Sequence, residues 1–258
     1  MHDAASLSEA VSPPPINWVD RSIRRFRATW YLGLVCVIYV VAASALAFAA
    51  APSVRLLLFV NERTAGLDPW IRTMAFAAAA GCGFFLSGLT LLAVVPMYNL
   101  LLPTRVRPFR GGYFTIAALP WYLHNSLLYV VRYTFLPFVT FTPFGIWFLR
   151  AMGMKVGLRT TINTEYISDP CLITIGDDVV VGGSVHIFAH YAGGGHLTIA
   201  PVVIGARATI GENATIMGDV VVGPGAVILP SAVLLPGTRV GPDEKWGGVP
   251  AHRLETAS

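Results

Sequence analysis

The sequence predicts an α-helical, membrane-spanning N-terminal region followed by an all-β parallel β-helix. Three observations predict it. No charged residue lies between Arg27 and Arg55, and none lies between Arg72 and Arg105. From Ile204 onward an aliphatic residue recurs at every sixth position.

The composition agrees. Of 258 residues, 55% are hydrophobic and 12% charged, about half the roughly 25% charge of an ordinary soluble domain, and the mean hydropathy is +0.63. These values point away from a wholly soluble protein and exclude a disordered chain, a collagen and a small disulfide scaffold. The net charge is +4, and sixteen of the eighteen basic residues are Arg, most of them bordering apolar stretches. That pattern suits anionic lipid headgroups, and no basic cluster interleaved with aromatics points to nucleic acid. Cys36, Cys82 and Cys171 lie far apart, so neither a disulfide framework nor a metal spacing is present and all three read as buried, inert thiols.

Residues 1–28 read as a cytoplasmic N-terminal tail and residues 29–104 as two transmembrane helices. The first span centres on Tyr31 to Ala51, long enough to cross about 30 Å of hydrocarbon. Some thirty polar or mixed residues precede it, so it reads as a retained anchor and not a cleaved signal. The second run begins at Thr73, and its small residues Ala75, Ala77, Ala78, Ala79, Ala80, Gly81 and Gly83 suit close helix approach. Arg21, Arg24, Arg25 and Arg27 before the first span, with Arg105, Arg107 and Arg110 after the second, put both ends in the cytoplasm, against Arg55, Arg63 and Arg72 between them. Residues 105–152 are apolar again, but Pro120, Pro137 and Pro143 interrupt them. They read as amphipathic pieces lying in the membrane interface, a third span being the alternative.

The β-helix covers residues 153–254. Ile204, Ile210, Ile216, Val222, Ile228, Leu234 and Val240 keep the six-residue period, and Ala208, Ala214, Val220, Ala226, Ala232 and Thr238 keep a small or β-branched position within it. Such a period signals a coil of three short strands per turn of about eighteen residues. Gly205, Gly211, Gly223 and Gly241 read as tight corners. An earlier block at Ile175, Val181 and Ile187 shares the register, and the two blocks together predict four or five coils. Between them Phe188 to Thr198 breaks the period and reads as an excursion loop, a place where rigid scaffolds often carry function.

The repeats, the excursion and the closing Trp246-Gly247-Gly248-Val249-Pro250-Ala251 resemble the hexapeptide-repeat acyltransferases. The resemblance implies a left-handed β-helix, a homotrimer, and acyl transfer from a coenzyme A or carrier-protein pantetheine thioester. Within that superfamily, Asp169 to Gly205 looks like the membrane-attached domains at the C-terminal end of poly-amino-acid peptide synthetases, where an I-x-x-H element precedes P-V-x-I-G. His190 matches that histidine.

Acyl transfer requires a base, an oxyanion donor and a channel for the donor's arm. His190 at the mouth of the excursion is the expected base and His186, pointing out of the coil, the next. His2, His124 and His252 read as structural or incidental. Glu165 and Asp169, about one coil upstream, are the carboxylates that would orient the base, while Asp177 and Asp178 read as turn formers. Backbone N–H groups near Gly182, Gly183 or Gly193 to Gly195 are oxyanion candidates. By resemblance, Asn213, Arg207, Lys245 and Trp246 would line the donor groove. The acceptor is a small molecule, a glycan or a lipid-linked hydroxyl or amine at the cytoplasmic face of the inner membrane, and no metal is expected. Two other readings compete: a zinc lyase of the carbonic-anhydrase type using His186, His190 and His196, and a non-catalytic trimeric membrane scaffold.

Overall fold

The computed structural model describes residues 18–255; His2 and the tail to residue 17 lie outside the described residues. A short helix α1 (Trp18–Arg25) leads into α2 (Arg27–Arg63) and, after a tight turn, α3 (Pro69–Leu101). Helix α2 has 37 residues, about 55 Å at 1.5 Å per residue. It therefore runs on through Pro52 and Arg55, well past the span expected at Tyr31 to Ala51. Just after Pro52, Ser53 Oγ donates to the Gly83 carbonyl at 2.6 Å and lies 2.6 Å from Ser87 Oγ, fastening α2 to α3. Asp68 caps α3 by accepting from Trp70 N at 2.9 Å, with Pro69 in the first turn.

Both helices are long and apolar enough to cross a membrane. Large side chains such as Leu32, Val40, Phe48, Phe59 and Phe85 face outward. Of the seven small residues expected to mediate helix packing, only Ala79 and Gly83 are buried, because two helices meet along one stripe of a 3.6-residue period. The same geometry overturns the expectation of buried thiols: Cys36 and Cys82 lie on exposed faces, and Cys171 is half-buried.

Residues 105–152 pack one side against the coil and the long helices. A strand (Phe109–Gly112) and a 3-10 turn (Ile116–Ala118) precede α4 (Leu119–Arg132) and α5 (Pro143–Ala151). At 14 and 9 residues, neither helix has the roughly 20 residues a span needs. Helix α4 buries His124, Asn125, Leu127, Leu128, Val131 and Arg132, the stripe expected of an amphipathic helix against a core. One hydrophobic core then runs from Leu91, Leu92 and Val95 of α3 through Leu127, Leu128 and Phe148 into the coil at Ile162, Ile167 and Ile187. The α4–α5 layer thus plugs the open end of the β-helix and joins it to the long helices.

The coil is a triangular prism with five parallel strands on the first face, five on the second and four on the third; the second also takes an antiparallel closing strand, His252–Arg253. Val203 lies opposite Val221 and Thr209 opposite Val227, eighteen residues further along the chain. Every aliphatic of the six-residue series is buried, from Ile204 at 1% exposed to Val240 at 4%. The glycines that follow them serve stacking more than bending. A Cβ on Gly205 or Gly211 would come within 2.5 Å of the Pro224 or Pro230 nitrogen in the next coil, whereas the left-handed corner residue comes two positions later, at Arg207 and Asn213.

The expected excursion loop is instead a β-hairpin. Strands His190–Gly193 and His196–Ile199 pair antiparallel, with Gly194 and Gly195 at positive φ in the turn. Strand Phe109–Gly112 then pairs with the second hairpin strand, Phe109 opposite Ile199, which makes His196–Ile199 the middle of three. Val106, Phe109, Ala118, Leu197 and Ile199 form a small second core beneath this sheet, so the N-terminal half holds the hairpin in place.

Candidate active site

The strand Ile167–Ser168 on the third face lies beneath Ile187–Phe188 of the next coil. Asp169 and His190 follow these two strands at the same corner of the prism. Asp169 takes a left-handed backbone there, φ 58°, a conformation Asp tolerates better than most residues. The His190 ring nitrogen Nδ1 lies 2.5 Å from Asp169 Oδ2. The Asp169 side chain is fully buried, and that of His190 is 23% exposed. Opposite a carboxylate, which accepts, Nδ1 is the donor, and Nε2 is the ring nitrogen left outside the pair. Among the described residues no protein group engages Nε2.

Helix α4 completes the arrangement. Trp121, His124 and Asn125 stand three and four residues apart on one face. Asn125 Nδ2 donates to Asp169 Oδ1 at 2.7 Å and to the Trp121 carbonyl at 3.1 Å. The Trp121 ring meets His190 edge-on at 5.1 Å, and Phe188 lies 5.5 Å away. The imidazole is thus oriented by a carboxylate and two aromatic rings, and the carboxylate by an amide. Trp121 Nε1 and Asn125 Oδ1 are buried and have no partner among the described residues.

Behind this layer His124 is 1% exposed. Its Nδ1 meets Asn99 Oδ1 at 2.8 Å and its Nε2 lies 4.0 Å from Cys171 Sγ. Burial lowers its pKa to about 4, partly opposed by the Asp169 charge. Burial, reinforced by Asp169, pushes the Cys171 thiol up to about 12. Both groups are therefore neutral near pH 7.

Of the residues expected at the site, the fold brings together His190 and Asp169. Glu165 forms no side-chain hydrogen bond to either histidine among the described residues; it stands before the strand, whereas Asp169 falls at the corner. His186 points outward, stacked on Tyr166 at 4.5 Å and 14°, opposite Thr215 on the third face. His196 pairs with Gly193 at the hairpin tip, where its Nδ1 bonds the Gly194 carbonyl at 3.0 Å. Among the described residues no three His, Cys, Asp or Glu side chains converge as a metal set, so the three histidines expected for zinc are dispersed within one chain.

Of the expected oxyanion donors, Gly193 to Gly195 occupy the far end of the hairpin from His190, and the Gly182 N–H donates to the Ile210 carbonyl at 2.9 Å. Asp177 and Asp178 behave as corner residues: Asp177 Oδ1 accepts from Leu158 N at 2.6 Å, and Asp178 pairs with Arg159 at 2.6 Å. Of the expected donor-groove residues, Arg207 and Asn213 sit at the two corners flanking the second face, and Lys245 is exposed on that face. Trp246 aligns with the buried Ile228. It therefore occupies the inward slot, packs on the core and donates from Nε1 to Glu244 Oε2 at 2.9 Å.

The model of the bacterial transferase hexapeptide family (six repeats) matches residues 201–236. The matched segment lies wholly within the coil. Its six-residue rhythm and triangular section are those of the left-handed β-helix. No curated protein sequence matches the chain. Among solved structures, the chain is similar to a hexapeptide-repeat containing acetyltransferase from Vibrio cholerae complexed with acetyl coenzyme A, with 28% identity over 41% of this chain and a TM-score of 0.38. The match spans 61% of that protein, so less than two thirds of its length is represented. A galactoside acetyltransferase in complex with coenzyme A is 18% identical over 52% of this chain and 79% of its own, with a TM-score of 0.41. A maltose O-acetyltransferase from Clostridium difficile is 17% identical over 59% and 95%, with a TM-score of 0.42.

Proposed function

We propose that the protein is a membrane-anchored acyltransferase in which His190 is the general base and Asp169 the group that orients it. The observation that carries this reading is the His190–Asp169 contact of 2.5 Å across successive coils, with Nε2 unengaged. As the acceptor hydroxyl or amine attacks the thioester carbonyl, its proton passes to Nε2. Collapse of the tetrahedral intermediate breaks the C–S bond, and the thiolate takes that proton back. The products are an ester or amide and a free thiol. Asp169 stabilises the imidazolium formed in between. The Trp121 indole N–H, buried without an acceptor among the described residues, is a donor on a ring that touches the base and a candidate for the oxyanion.

The donor is an acyl thioester of coenzyme A or of a carrier-protein pantetheine. Arg207, Asn213 and Lys245 bracket the second face of one chain. A second copy packed on that face, as in a homotrimer, would turn it into a groove with cations for phosphates. The long helices α2 and α3 support membrane anchoring: their large apolar side chains face outward, where hydrocarbon would cover them. The flanking arginines support placing both ends, and so the coil, on the cytoplasmic side.

Purified full-length protein in lipid nanodiscs tests this reading through thiol release from acetyl coenzyme A in the presence of a membrane extract. The reading expects release that falls at least about 10²-fold in His190→Ala. Full turnover in that variant, or no turnover in the native protein, overturns it.

A further inference from the structure

Two cavities lie side by side between the long helices and the hairpin. The larger, about 980 Å³, is walled by α1, the start of α2 and residues 113–123. Its lining is almost wholly apolar, with Ile23, Phe26, Trp30, Leu34, Phe114 and Leu123 among it. Asp20 holds α1 in place as one wall by accepting from Ile116 N at 3.0 Å. Tyr31 meets Phe114 edge-on at 6.5 Å, and the Arg27 guanidinium lies 4.9 Å over the same ring, so cationic charge sits at the margin of the chamber.

The second cavity, about 530 Å³, shares Pro103 and Pro120 with the first. Arg105 and Arg107 line it, both exposed and neither in a salt bridge among the described residues. Trp121 and Ile199 form another part of its wall. These are the residues beside the proposed base: Trp121 touches the His190 ring, and Ile199 is its strand partner. An apolar chamber, a pair of unpaired guanidiniums and an imidazole with a free nitrogen therefore follow one another along this side of the molecule.

We infer that the acyl acceptor is an anionic membrane lipid, its hydrocarbon tail in the chamber of α1 and α2, its phosphate at Arg105 and Arg107, and its headgroup nucleophile at His190. The order of the three sites matches the order of the three parts of such a lipid. A chamber of this size and lining excludes water and favours a tail over a soluble sugar. Two arginines form charge-assisted hydrogen bonds to a phosphate, and among the described residues neither is held by an acid. One wall is α2, a helix long and apolar enough to span, so the chamber lies beside the bilayer from which a lipid would enter. This inference rests on the membrane-anchored acyltransferase reading above.

The test uses full-length protein in nanodiscs of phosphatidylcholine, alone or with one fifth phosphatidylglycerol, doped with the same lipid carrying a photoactivatable group in its chain. Gly33 lines the chamber, and a Cβ there meets nothing within 4 Å. Gly33→Trp thus has room at its Cβ and puts an indole on the wall that the tail would line. The expected result is phosphatidylglycerol cross-linked to residues of α2 and 113–123, and cross-linking lost in Gly33→Trp. Arg105→Ala/Arg107→Ala is expected to cut the preference for phosphatidylglycerol over phosphatidylcholine about tenfold. In native protein, thiol release is expected to rise with phosphatidylglycerol. Cross-linking unaffected by Gly33→Trp, or equal for both lipids in native protein, overturns the inference. If His190-dependent thiol release proceeds with a water-soluble acceptor while no lipid enters the chamber, the lipid inference fails and the transferase reading stands. If lipid binds as described but nothing is turned over, the transferase reading fails, and with it the acceptor role.

Discussion

Asn125 and Asp169 are 44 residues apart in the chain and 2.7 Å apart in the fold. Through that hydrogen bond, a helix of the N-terminal half orients the carboxylate that holds His190. The candidate site thus belongs to neither half alone: the coil supplies the base and the carboxylate, and α4 supplies the amide and the Trp121 ring.

Asn125→Ala is expected to lower kcat about tenfold, since one charge-assisted hydrogen bond contributes on the order of 1.5–3 kcal/mol, with little change in KM for the thioester. The pH profile of kcat should shift as well, because Asp169 loses a donor to its charged form. A change in KM alone, with the profile intact, would assign Asn125 to substrate binding and not to positioning.

Asp169→Asn should cost about 10²-fold or more in turnover, because an amide no longer favours the Nδ1–H tautomer. Glu165→Gln and His186→Ala should remain within about twofold of native, on the geometry that keeps both off the base. Steady-state rates of the three variants, with circular dichroism to verify folding, separate the two carboxylates named by the sequence.

His124 makes stability depend on pH. Its folded pKa, about 4, lies below its ordinary 6.5. Between those values the unfolded chain binds the proton that the folded chain refuses. Its contribution is therefore fully present above about pH 6.5 and is lost as pH falls towards 4, a change on the order of 3 kcal/mol. Thermal unfolding across that window should show Tm falling with acidification, and His124→Gln should flatten the slope.

Close stacking of coils makes Gly205 and Gly211 intolerant of a side chain. Gly211→Ala, whose Cβ would lie 2.5 Å from Pro230 N, should lower Tm measurably. Gly193→Ala, with open space around it, should not. Ile210→Ala, at a position 1% exposed, should cost about 2–5 kcal/mol in chemical denaturation.

With its pKa pushed up to about 12, Cys171 should resist iodoacetamide at pH 8 in the folded protein and react once denatured. Peptide mass mapping before and after denaturation checks this.

Much of this architecture was legible in the chain itself. A six-residue period is a local property, because each inward slot sees the same narrow interior, so Ile204 to Val240 declared the coil. Charge-free runs likewise declared α2 and α3, since nothing but length and apolarity is needed. The excursion and His190 showed as a break in that rhythm. What only the tertiary structure decided were relations between distant segments. Asp169 outranks Glu165 because four positions along a strand separate an approach to the corner from the corner itself. The hairpin is ordered because Phe109–Gly112, some eighty residues earlier, extends its sheet. Asn125 and Trp121 read as polar and aromatic interruptions in an apolar run, and they reach the base only because α4 plugs the open end of the coil. Local patterns repeat along the sequence and can be read there; a site built where two halves of a chain meet depends on packing geometry that no single segment encodes.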